Sequence, residues 1–493
     1  MSYLIPDELK IQHPDSFFIG GKWVKASTDR KIELVNPATE EVFARVADAA
    51  DADMDRAVAA ARDAFDNGPW PFLPIKERVA HIRRFADELR KRSVEIGWAW
   101  TAQIGAISQL TALYGASPIA LYDYYADVAE KFPFTKVRER DYGGVGIICE
   151  EPVGVVAAIV PWNAPFGLAS FKVAAALAAG CTIVLKPSPE TPLEAYIMAE
   201  AAEAAGLPAG VLNMLPAGRE AGDHLIRNVG IDKVSFTGST AAGKHIASVC
   251  AGRVARVGLE LGGKSAAIVL DDIAVEQVLP TLIPASTLNT GQACAALTRV
   301  LVSRKRHDAF VEALAAAYNS ILIGDPFDQK TQMGPLAMKR QHERVLSYID
   351  KGKAEGATLA CGGGRPSNMK RGYFVQPTVF ANVGNDFAIA QEEIFGPVVA
   401  VIPFDSEDEA IRIANDSPYG LNGSVFTNDA EKAYYIGRRV RAGNFTQNDW
   451  AVDIKLPFGG FKQSGIGRQG GPEGLQEYLE TKVIFMPEVP KQL

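Results

Sequence analysis

Between residues 150 and 250 the chain alternates short apolar, β-branched runs with longer alanine-rich segments. The runs predict buried strands and the segments predict helices, several of which end at a glycine. In chain order these elements are strand 155–160, helix 171–179, strand 182–185, helix 192–205, strands 211–215 and 234–236, and a helix that ends near Val249. Strands separated by helices pair in parallel, and fully apolar strands suit a sheet covered on both faces. The pattern therefore predicts an α/β nucleotide-binding sheet.

The rest of the chain adds three further parts. A second alternating series follows Glu260 and predicts a separate α/β domain. Its elements are strands at 266–270 and 299–302, a helix at 308–318, and later strands near Phe374, Val398 and Ser424. Before residue 130 the pattern is mostly helical, with amphipathic spacing at 53–65 and 76–92. Residues 136–152 have strand-like residues around a glycine pair and predict a projecting hairpin.

Composition and charge narrow the class of protein without adding a site. At 493 residues the chain exceeds the roughly 250 to 300 residues that one hydrophobic core usually organises, so at least two domains are expected. Hydrophobic residues make up 47% and charged residues 22%, a globular mixture that excludes disorder for most of the chain. The net charge of −7 is small and the basic residues are scattered, so no nucleic-acid partner is predicted.

Three features bear on the compartment. The five cysteines form no CxxC pair and suit a reducing cytosol. The N-terminus has no basic region followed by an apolar run, so no secretory signal is predicted. Residues 154–185 carry a single charge, but the prolines among them, Asn163 and Lys172 favour a strand, a loop and a buried helix over a membrane span. A cytoplasmic protein with no membrane partner is expected.

Two glycine-containing segments are candidates for binding a nucleotide. Residues 236–243 run from a strand end through Gly238 and Ser239 into a helix, whose free N–H groups and positive dipole suit a phosphate. A helix capped by a serine without any ligand is an equal alternative. A formal GxGxxG spans residues 465–470, but it lacks a preceding strand and a βαβ unit, so a turn-rich surface loop explains it better.

Three side chains are candidates for chemistry, and the residues alone leave each one open. Cys294 lies among small residues that leave a thiol approachable, although free cysteines are usually inert small hydrophobes. Glu260 lies between two leucines, where apolar surroundings would raise its pKa and suit a general base, but a paired structural acid is equally consistent. Asn163, close to two prolines at a strand end, either stabilises an oxyanion or merely turns the chain. The six histidines form no HExxH pair and no cluster with cysteines, so no metal site is predicted.

Seven short segments, in this order, resemble the aldehyde dehydrogenase superfamily. They are Pro161-Trp162-Asn163, Lys186-Pro187-Ser188, residues 236–243, Glu260-Leu261-Gly262-Gly263-Lys264, Gly291-Gln292-Ala293-Cys294, Glu393-Ile394-Phe395-Gly396-Pro397 and Pro457-Phe458-Gly459-Gly460. Each is short, but seven in family order across nearly the whole chain are highly specific. The resemblance implies an NAD(P)-dependent aldehyde dehydrogenase and strengthens Cys294 and Glu260 as candidates.

The resemblance also implies a domain division and a coenzyme site. A Rossmann-like coenzyme domain would span residues 1–131 and 152–261, an α/β catalytic domain 262–465, and a small β oligomerisation element 132–151 and 466–493, in a homodimer or homotetramer. The residues expected along the NAD site are Val160, Pro161, Trp162, Lys186, Gly238, Ser239, Glu393 and Phe395. Among these, Ser239 would contact the pyrophosphate, and Lys186 and Glu393 the ribose hydroxyls.

The chemistry that the resemblance implies is oxidation of an aldehyde to a carboxylic acid. The Cys294 thiolate attacks the aldehyde carbon, and the Asn163 amide and the backbone N–H of Cys294 hold the oxyanion. Hydride passes to the nicotinamide, and Glu260 activates the water that hydrolyses the thioester. Lys172 aligns with a family lysine that assists proton movement away from the glutamate, and its place in an apolar stretch is otherwise hard to explain. Relatives that pass the acyl group to coenzyme A typically lack the glutamate, so Glu260 favours hydrolysis.

Two departures from the family pattern leave questions open. Many NAD-preferring relatives carry a glutamate three residues after Lys186, whereas this chain has Pro189 followed by Glu190, so the choice between NAD and NADP stays open. Many relatives carry a proton-relaying acid after Arg468, whereas this chain has Gln469, which cannot accept a proton. The route by which protons leave Glu260 is therefore open as well.

The expected substrate is an apolar aldehyde. The positions expected to face its tail are all apolar, and they are Ala164, Leu168, Phe171, Ala293, Ala295, Trp450 and Phe458. None offers a cation to a distal carboxylate, as a semialdehyde site normally would. A medium or bulky aliphatic, terpenoid or aromatic aldehyde is therefore expected. A semialdehyde or coenzyme A-acylating dehydrogenase, and a catalytically silent structural or binding protein on the same fold, are the alternatives.

Overall fold

A computed structural model of the chain describes residues 11–491. The first ten residues, in which no secretory signal is predicted, lie outside this range, as do the last two. The corresponding ends of the predicted coenzyme domain and oligomerisation element therefore also lie outside the described residues. Within residues 11–491, no helix combines the length and the apolar character needed to cross a membrane.

The secondary structure alternates strands and helices over most of this range. The strands are β1 (Ser16–Ile19), β2 (Lys22–Lys25), β3 (Lys31–Asn36), β4 (Glu41–Ala47), β5 (Thr135–Glu139), β6 (Val145–Pro152), β7 (Val155–Ile159), β8 (Thr182–Lys186), β9 (Leu212–Met214), β10 (Lys233–Thr237), β11 (Arg256–Glu260), β12 (Ser265–Val269), β13 (Leu297–Ser303), β14 (Thr358–Cys361), β15 (Thr378–Ala381), β16 (Val398–Phe404), β17 (Gly423–Phe426), β18 (Thr446–Gln447), β19 (Gly465–Ile466) and β20 (Leu479–Met486). The helices are α1 (Asp51–Asp66), α2 (Ile75–Lys91), α3 (Ser93–Ile104), α4 (Thr111–Ala116), α5 (Ala120–Lys131), α6 (Pro165–Ala179), α7 (Leu193–Ala204), α8 (Arg219–Arg227), α9 (Thr240–Gly252), α10 (Val275–Thr287), α11 (His307–Asn319), α12 (Lys339–Ala354), α13 (Ala388–Gln391), α14 (Glu407–Asn415), α15 (Ala430–Gly437) and α16 (Gly471–Gln476).

The first sheet has the order β19-β11-β10-β7-β8-β9-β1-β2. Its five central strands, β11 to β9 in that order, are parallel, whereas β19, β1 and β2 pair antiparallel at the two edges. Helices cover both faces: α2, α5, α6 and α7 bury apolar side chains on one face, and α1, α8 and α9 on the other. Burial on both faces explains the continuous apolar runs of these strands. The predicted α/β nucleotide-binding sheet is confirmed.

The second sheet has the order β14-β15-β16-β13-β12-β17-β18 and is parallel except at the β14 edge. Helices again cover both faces, with α10 and α11 on one and α12 to α15 on the other. The strand predicted near Phe374 is wrong. Phe374 lies in an irregular buried segment and the strand begins at Thr378, directly after Pro377, which has no N–H to donate to a ladder.

The mostly helical pattern predicted before residue 130 misses four strands. The helices α1 and α2 are confirmed, but β1 and β2 form a hairpin around Gly20 and Gly21, whose φ angles of 61° and 73° favour glycine. This hairpin joins the first sheet beside β9, and β3 pairs with β4 in a separate hairpin. Strands as short as four residues at a sheet edge give too few alternations to be recognised in the sequence.

A third sheet, β20-β6-β5, contains the predicted hairpin and the end of the chain. The hairpin turns at Gly143 and Gly144, and it is confirmed. Just before β20, the C-terminal segment returns to the first sheet: β19 pairs with β11, and Leu475 and Tyr478 are buried in the core under α2, α5 and α6. The described residues thus form two helix-covered sheets, a small third sheet and the β3–β4 hairpin. The division into three domains and the domain bounds remain a prediction.

Candidate active site

The candidate residues meet where the first sheet joins the second. The chain leaves the first sheet at Glu260, the last residue of β11, and enters the second sheet at Ser265 after only four residues. Cys294 lies in the loop that leads into β13, and Asn163 follows β7. The three candidates come from distant parts of the sequence, and the packing of the two sheets brings them together.

A crevice of about 500 Å³ opens at this junction, at the carboxyl end of the parallel strands of the first sheet. Its lining contains most of the residues predicted along the NAD site, together with Cys294. The predicted residues along it are Pro161, Trp162, Asn163, Leu168, Gly238, Ser239, Cys294, Glu393 and Phe395. A second crevice has a volume of about 550 Å³ and lies beside β10 and α9. Lys186 and Arg219 are in its lining. Crevices at this end of an open parallel sheet are the usual ligand sites of such folds.

Ser239 caps the helix that begins between the two crevices. Its Oγ accepts a hydrogen bond from the backbone N–H of Ala242 at 3.3 Å, so one of the first amides of α9 is satisfied by the cap. The remaining amides and the positive end of the helix dipole face the crevice at Gly238 to Ala241. This arrangement can hold a phosphate group.

A strained loop presents Cys294. Asn289 and Thr290 adopt left-handed φ angles of 51° and 57°, which are costly for residues with a Cβ. Buried Gln292 fixes the loop, because its Nε2 donates to Asn289 O at 2.9 Å and its Oε1 accepts from Ala337 N at 2.9 Å. Such strain is typical of functional sites, where surrounding contacts impose the conformation.

The Cys294 thiol itself is half-buried, and its pKa is raised to about 12. Burial is the main cause, followed by the negative charges of Glu393 and Glu260. The thiol is therefore protonated at neutral pH in the protein alone. It requires a base or a nearby positive charge before it can act as a nucleophile.

The Asn163 amide points at the cysteine loop. Its Nδ2 donates to Gln292 O at 2.9 Å, and its own backbone oxygen accepts from Trp100 Nε1 at 2.9 Å and from Asn289 Nδ2 at 3.0 Å. The Trp100 ring in turn stacks on Tyr114 with ring centroids 3.9 Å apart. The side chain is buried and held from two sides, so the amide has a fixed direction.

Glu260 is a buried acid without a fixed partner. Only 5% of the residue is exposed, and neither carboxylate oxygen has a hydrogen-bond partner within residues 11–491. Burial raises its pKa to about 8, against the opposing effect of the positive charges of Lys172 and Arg468. A carboxyl group whose pKa lies near neutral is well placed to act as a general base.

Lys172 lies in the middle of α6 and is completely buried. Its Nζ donates to Thr237 Oγ1 at 2.7 Å, and burial lowers its pKa to about 7, while the charge of Glu260 acts in the opposite direction. The structure thus places this lysine beside the carboxylate to which the family pattern relates it. Both groups exchange protons near neutral pH.

Several predicted coenzyme residues have defined contacts. Trp162 packs edge-to-face against Phe395 with centroids 5.3 Å apart, and Glu393 Oε1 accepts from Gly263 N at 3.1 Å. Burial raises the pKa of Glu393 to about 7 and lowers that of Lys186, at the end of β8, to about 8. Val160 is buried, and its N–H donates to Lys186 O at 3.2 Å; it does not line either crevice.

The predicted substrate positions surround the cysteine loop, but only Leu168 lines the crevice that contains Cys294. Ala295 is buried, and its carbonyl accepts hydrogen bonds from Trp450 Nε1 at 2.9 Å and from Asn422 Nδ2 at 3.2 Å. The remaining four positions are partly exposed, and they are Ala164, Phe171, Ala293 and Phe458. Their roles remain predictions.

Three residues of the crevice lie outside every motif recognised in the sequence. Gln341 Nε2 donates to Phe395 O at 2.7 Å, Arg344 donates to Glu393 O at 2.5 Å, and Tyr419 also lines the crevice. Gln341 and Arg344 project from α12, far from any recognised motif, and their hydrogen bonds hold the segment around Glu393 in place. No local signal in the sequence identifies them.

The glycine-rich segment at 465–470 is not a dinucleotide motif. It starts with the two-residue strand β19, which pairs antiparallel with β11, and it is not part of a βαβ unit. The prediction of a surface loop is only partly right, because Gly470 is buried and the segment packs against β11.

The model of the aldehyde dehydrogenase family matches residues 23–484. The chain belongs to that family. It is 45% identical to geranial dehydrogenase from Castellaniella defragrans over 470 residues, which cover 95% of this chain and 98% of that protein. The predicted family, the α/β fold class and the assignment as an aldehyde dehydrogenase enzyme are confirmed.

Solved structures of family members superpose over nearly the whole chain. A Mycobacterium tuberculosis aldehyde dehydrogenase in complex with NAD+ is 47% identical, with 96% of this chain and 98% of that chain covered and a TM-score of 0.94. A Pseudomonas syringae aldehyde dehydrogenase C mutant, in complex with NAD+ and octanal, is 40% identical, with 98% of each chain covered and a TM-score of 0.92.

Proposed function

We propose that this family member oxidises apolar aldehydes to carboxylic acids with NAD(P), through a thioester on Cys294 that water hydrolyses with Glu260 as the general base. The observation that carries the proposal is the state of Glu260. It is a buried carboxyl without a hydrogen-bond partner among residues 11–491, its pKa of about 8 lets it accept a proton near neutral pH, and its negative charge raises the pKa of the Cys294 thiol. A transfer to coenzyme A would not need such a base.

The two crevices fit a dinucleotide. The N-terminus of α9 lines the first crevice and its free amides suit the pyrophosphate, whereas the second crevice is lined by Phe236 of β10 and by Ile246 of α9. Lys186 lines the second crevice and Glu393 the first, and both carry groups able to bond ribose hydroxyls. Two structural relatives hold NAD+. The coenzyme, when bound, supplies the hydride acceptor.

NADP is a second candidate coenzyme on electrostatic grounds. Glu190, the acid nearest to the position that binds ribose in many relatives, pairs with Arg340 at 2.5 Å and does not line the crevice. Lys186 and Arg219 line the second crevice and can each bond a further phosphate, although Glu220 and Asp223 line it as well. Initial rates with each coenzyme decide between them.

The first half of the reaction depends on the cysteine loop. Cys294 Sγ gives its proton to water and bonds to the aldehyde carbon, and the carbonyl oxygen becomes an oxyanion. Asn163 Nδ2 has two hydrogens, one of which bonds Gln292 O, so the other is available to the oxyanion. The Cys294 backbone N–H is the second proposed donor. Loss of hydride from the same carbon leaves a thioester on Cys294.

The second half depends on Glu260. The carboxylate takes a proton from water while the water oxygen bonds the thioester carbon, and the C–S bond then breaks to give the carboxylic acid and the thiolate. Lys172 stabilises the carboxylate through its charge. Because Glu260 acts as the carboxylate, we expect the hydrolytic step to accelerate with pH up to about 8.

An apolar substrate is the most consistent class. The seven substrate positions bear no charge, and Arg344 in the crevice is engaged by Glu393 O and by the hydroxyl of Tyr348 at 3.2 Å. One relative is named for geranial and another structure holds octanal, both apolar aldehydes. We infer a medium or bulky aliphatic, terpenoid or aromatic aldehyde.

The third sheet is the proposed oligomerisation element. β5 is exposed along its whole length, and β20 exposes Val483, Ile484 and Phe485. Apolar side chains on strands at a sheet edge suit pairing with a second copy. We propose a homodimer or homotetramer assembled through this sheet, with the domain bounds given above.

Two variants test the reaction. Cys294→Ala is expected to bind coenzyme but produce no reduced coenzyme, whereas Cys361→Ala, a cysteine in the second sheet, retains activity. Glu260→Gln is expected to give one burst of reduced coenzyme per active site and then stop. Continued steady turnover by Glu260→Gln, or oxidation that needs coenzyme A, contradicts the proposal.

A further inference from the structure

A small cavity lies beside Glu260, distinct from the crevice that contains Cys294. Its volume is about 10 Å³, which is room for about one water molecule. Glu260, Arg468, Gln469 and Glu477 are among the residues that line it. Glu260 is absent from the lining of the Cys294 crevice, so this cavity is an opening of its own at the general base, through which a proton can leave.

One face of β10 carries three polar side chains next to this cavity. They are Lys233, Ser235 and Thr237, all more than nine-tenths buried, and as alternate residues of a strand they share a face. The intervening Val234 and Phe236 are apolar. Central parallel strands are normally apolar on both faces, and buried polar groups are costly, so packing alone does not explain this row.

Each polar residue of the row has a partner, and the series of partners ends at the surface. The pairs are Thr237 with Lys172 at 2.7 Å, Ser235 with Tyr478 at 3.0 Å, and Lys233 with Glu477 at 3.2 Å. The Lys233 side chain is 4% exposed, whereas that of Glu477 is 29% exposed. Glu477 is thus the point where the row reaches solvent.

The register of β11 places Glu477 close to Glu260. Gly258 and Glu260 lie on one face of β11, opposite Ser235 and Thr237, and two residues of a strand span about 7 Å. A Cβ at Gly258 would lie 3.8 Å from Glu477 Oε2, so this carboxylate covers the glycine. One bridging water spans up to about 6 Å between two oxygen atoms, and Glu260 and Glu477 line the same cavity, which has room for one water.

We propose that Glu477 is the proton exit group of this enzyme, receiving through one water in the cavity the proton that Glu260 takes up in each hydrolysis. This inference rests on the proposed function. The Glu260 O–H passes its proton to the water, and the water passes one of its own protons to the Glu477 carboxylate. Glu477 then releases a proton to solvent, which restores the Glu260 carboxylate for the next turnover.

The charges around Glu477 suit this role. Lys233 from β10, whose Nζ lies 3.2 Å from Glu477 Oε2, and Arg468 from the segment after β19 are the cations that face this cavity, and Glu260 from β11 is the other acid. Tyr478, also in the lining, is held by Ser235. Gln469 shares the lining, but its amide cannot accept a proton at neutral pH. Glu477 therefore supplies the acid that position 469 lacks.

The test separates thioester formation from its hydrolysis. An activated ester, p-nitrophenyl acetate, acylates Cys294 without coenzyme, so the nitrophenolate burst reports acylation and the later steady rate reports hydrolysis. For Glu477→Gln we expect an unchanged burst and a steady rate at pH 7 that is lower by roughly 10- to 100-fold. This loss is at or below the lower end of the rate enhancement that a general acid or base in direct contact with the substrate provides, because Glu477 acts only on Glu260. Glu407→Gln, which removes a carboxylate 2.7 Å from exposed Lys432, is the matched control and retains both phases.

Two rescues distinguish a proton relay from a merely structural role. Imidazole buffer, a small proton carrier, is expected to raise the steady rate of Glu477→Gln in proportion to its concentration, and Gln469→Glu is expected to restore that rate in the same background. If the glutamine variant does not fold, Glu477→Asp, which keeps a titratable group, is expected to retain a buffer-dependent rate. An unchanged steady rate, or a loss that neither rescue restores, overturns the relay. A wild-type protein that releases nitrophenolate no faster than Cys294→Ala instead refutes the proposed function.

Discussion

Replacing Asn163 with alanine removes a hydrogen-bond donor that we place at the developing negative charge. The amide is 7% exposed and its direction is fixed by the bond to Gln292 O, so the wild-type donor needs little rearrangement during the reaction. The backbone of residue 163 is held independently by Trp100 and Asn289. The substitution therefore changes the donor without releasing the loop.

The expected loss is large because the site is shielded from water. Removing one preorganised oxyanion donor typically lowers the rate by about 10²- to 10³-fold, or roughly 3 to 4 kcal/mol of transition-state stabilisation. Asn163→Asp keeps the shape but replaces the donor with an acceptor, and its charge would raise the pKa of the nearby thiol further. We expect the aspartate variant to be at least as slow as the alanine variant.

Stopped-flow absorbance at the reduced-nicotinamide band measures the burst rate of each variant with an apolar aldehyde. Coenzyme binding, followed by protein fluorescence, is the control and is expected to stay within a few fold of wild type. A burst rate that falls by less than about fivefold in Asn163→Ala would refute the oxyanion role, because one such donor is worth far more.

Three further outcomes follow from contacts described above. Trp100→Phe removes the indole N–H bonded to Asn163 O and is expected to slow the burst by about tenfold with little change in coenzyme affinity, as stopped-flow measurement checks. Burial raises the pKa of Glu194 from its ordinary 4.5 to about 8, so the protonated carboxyl contributes its full stability below pH 4.5, and this contribution is lost as the pH rises through 8. Glutamine cannot ionise, so the Tm of Glu194→Gln relative to that of wild type is expected to increase between pH 5 and 8 in thermal-shift assays. Ser239→Ala loses the cap bond to Ala242 and is expected to destabilise the protein by about 1 kcal/mol in denaturant titrations and to raise the KM for coenzyme.

The strands and helices of the two large sheets could be predicted because burial on both faces leaves long apolar runs. β7, β8 and β10 are examples, and each predicted bound differs from the observed one by at most one residue. β1 and β2 were missed because strands of four residues carry little periodicity, and β1 owes its place in the sheet to the distant β9. Sequence periodicity reports local burial, and it does not report which segments meet.

The same distinction explains what the sequence shows of the site. Motifs identified Cys294, Glu260 and Asn163 because each lies in a short segment typical of the family. The polar row on β10 is visible as alternation of Lys233, Ser235 and Thr237, but its significance depends on Glu477, more than two hundred residues away. Trp100 and Arg344 likewise act through contacts that only the folded chain reveals.

The return of the C-terminal segment to the first sheet has a consequence for synthesis on the ribosome. The parallel strands of that sheet are complete once Glu260 has been made, but β19, Leu475 and Tyr478 close its edge and its core only at the end of translation. At about 5 to 20 residues per second, the intervening stretch of roughly two hundred residues takes about 10 to 45 seconds. During that time the nascent first sheet presents an open strand edge and uncovered apolar surface. We therefore expect folding of the protein to depend on chaperones and to fail when the C-terminal segment is truncated.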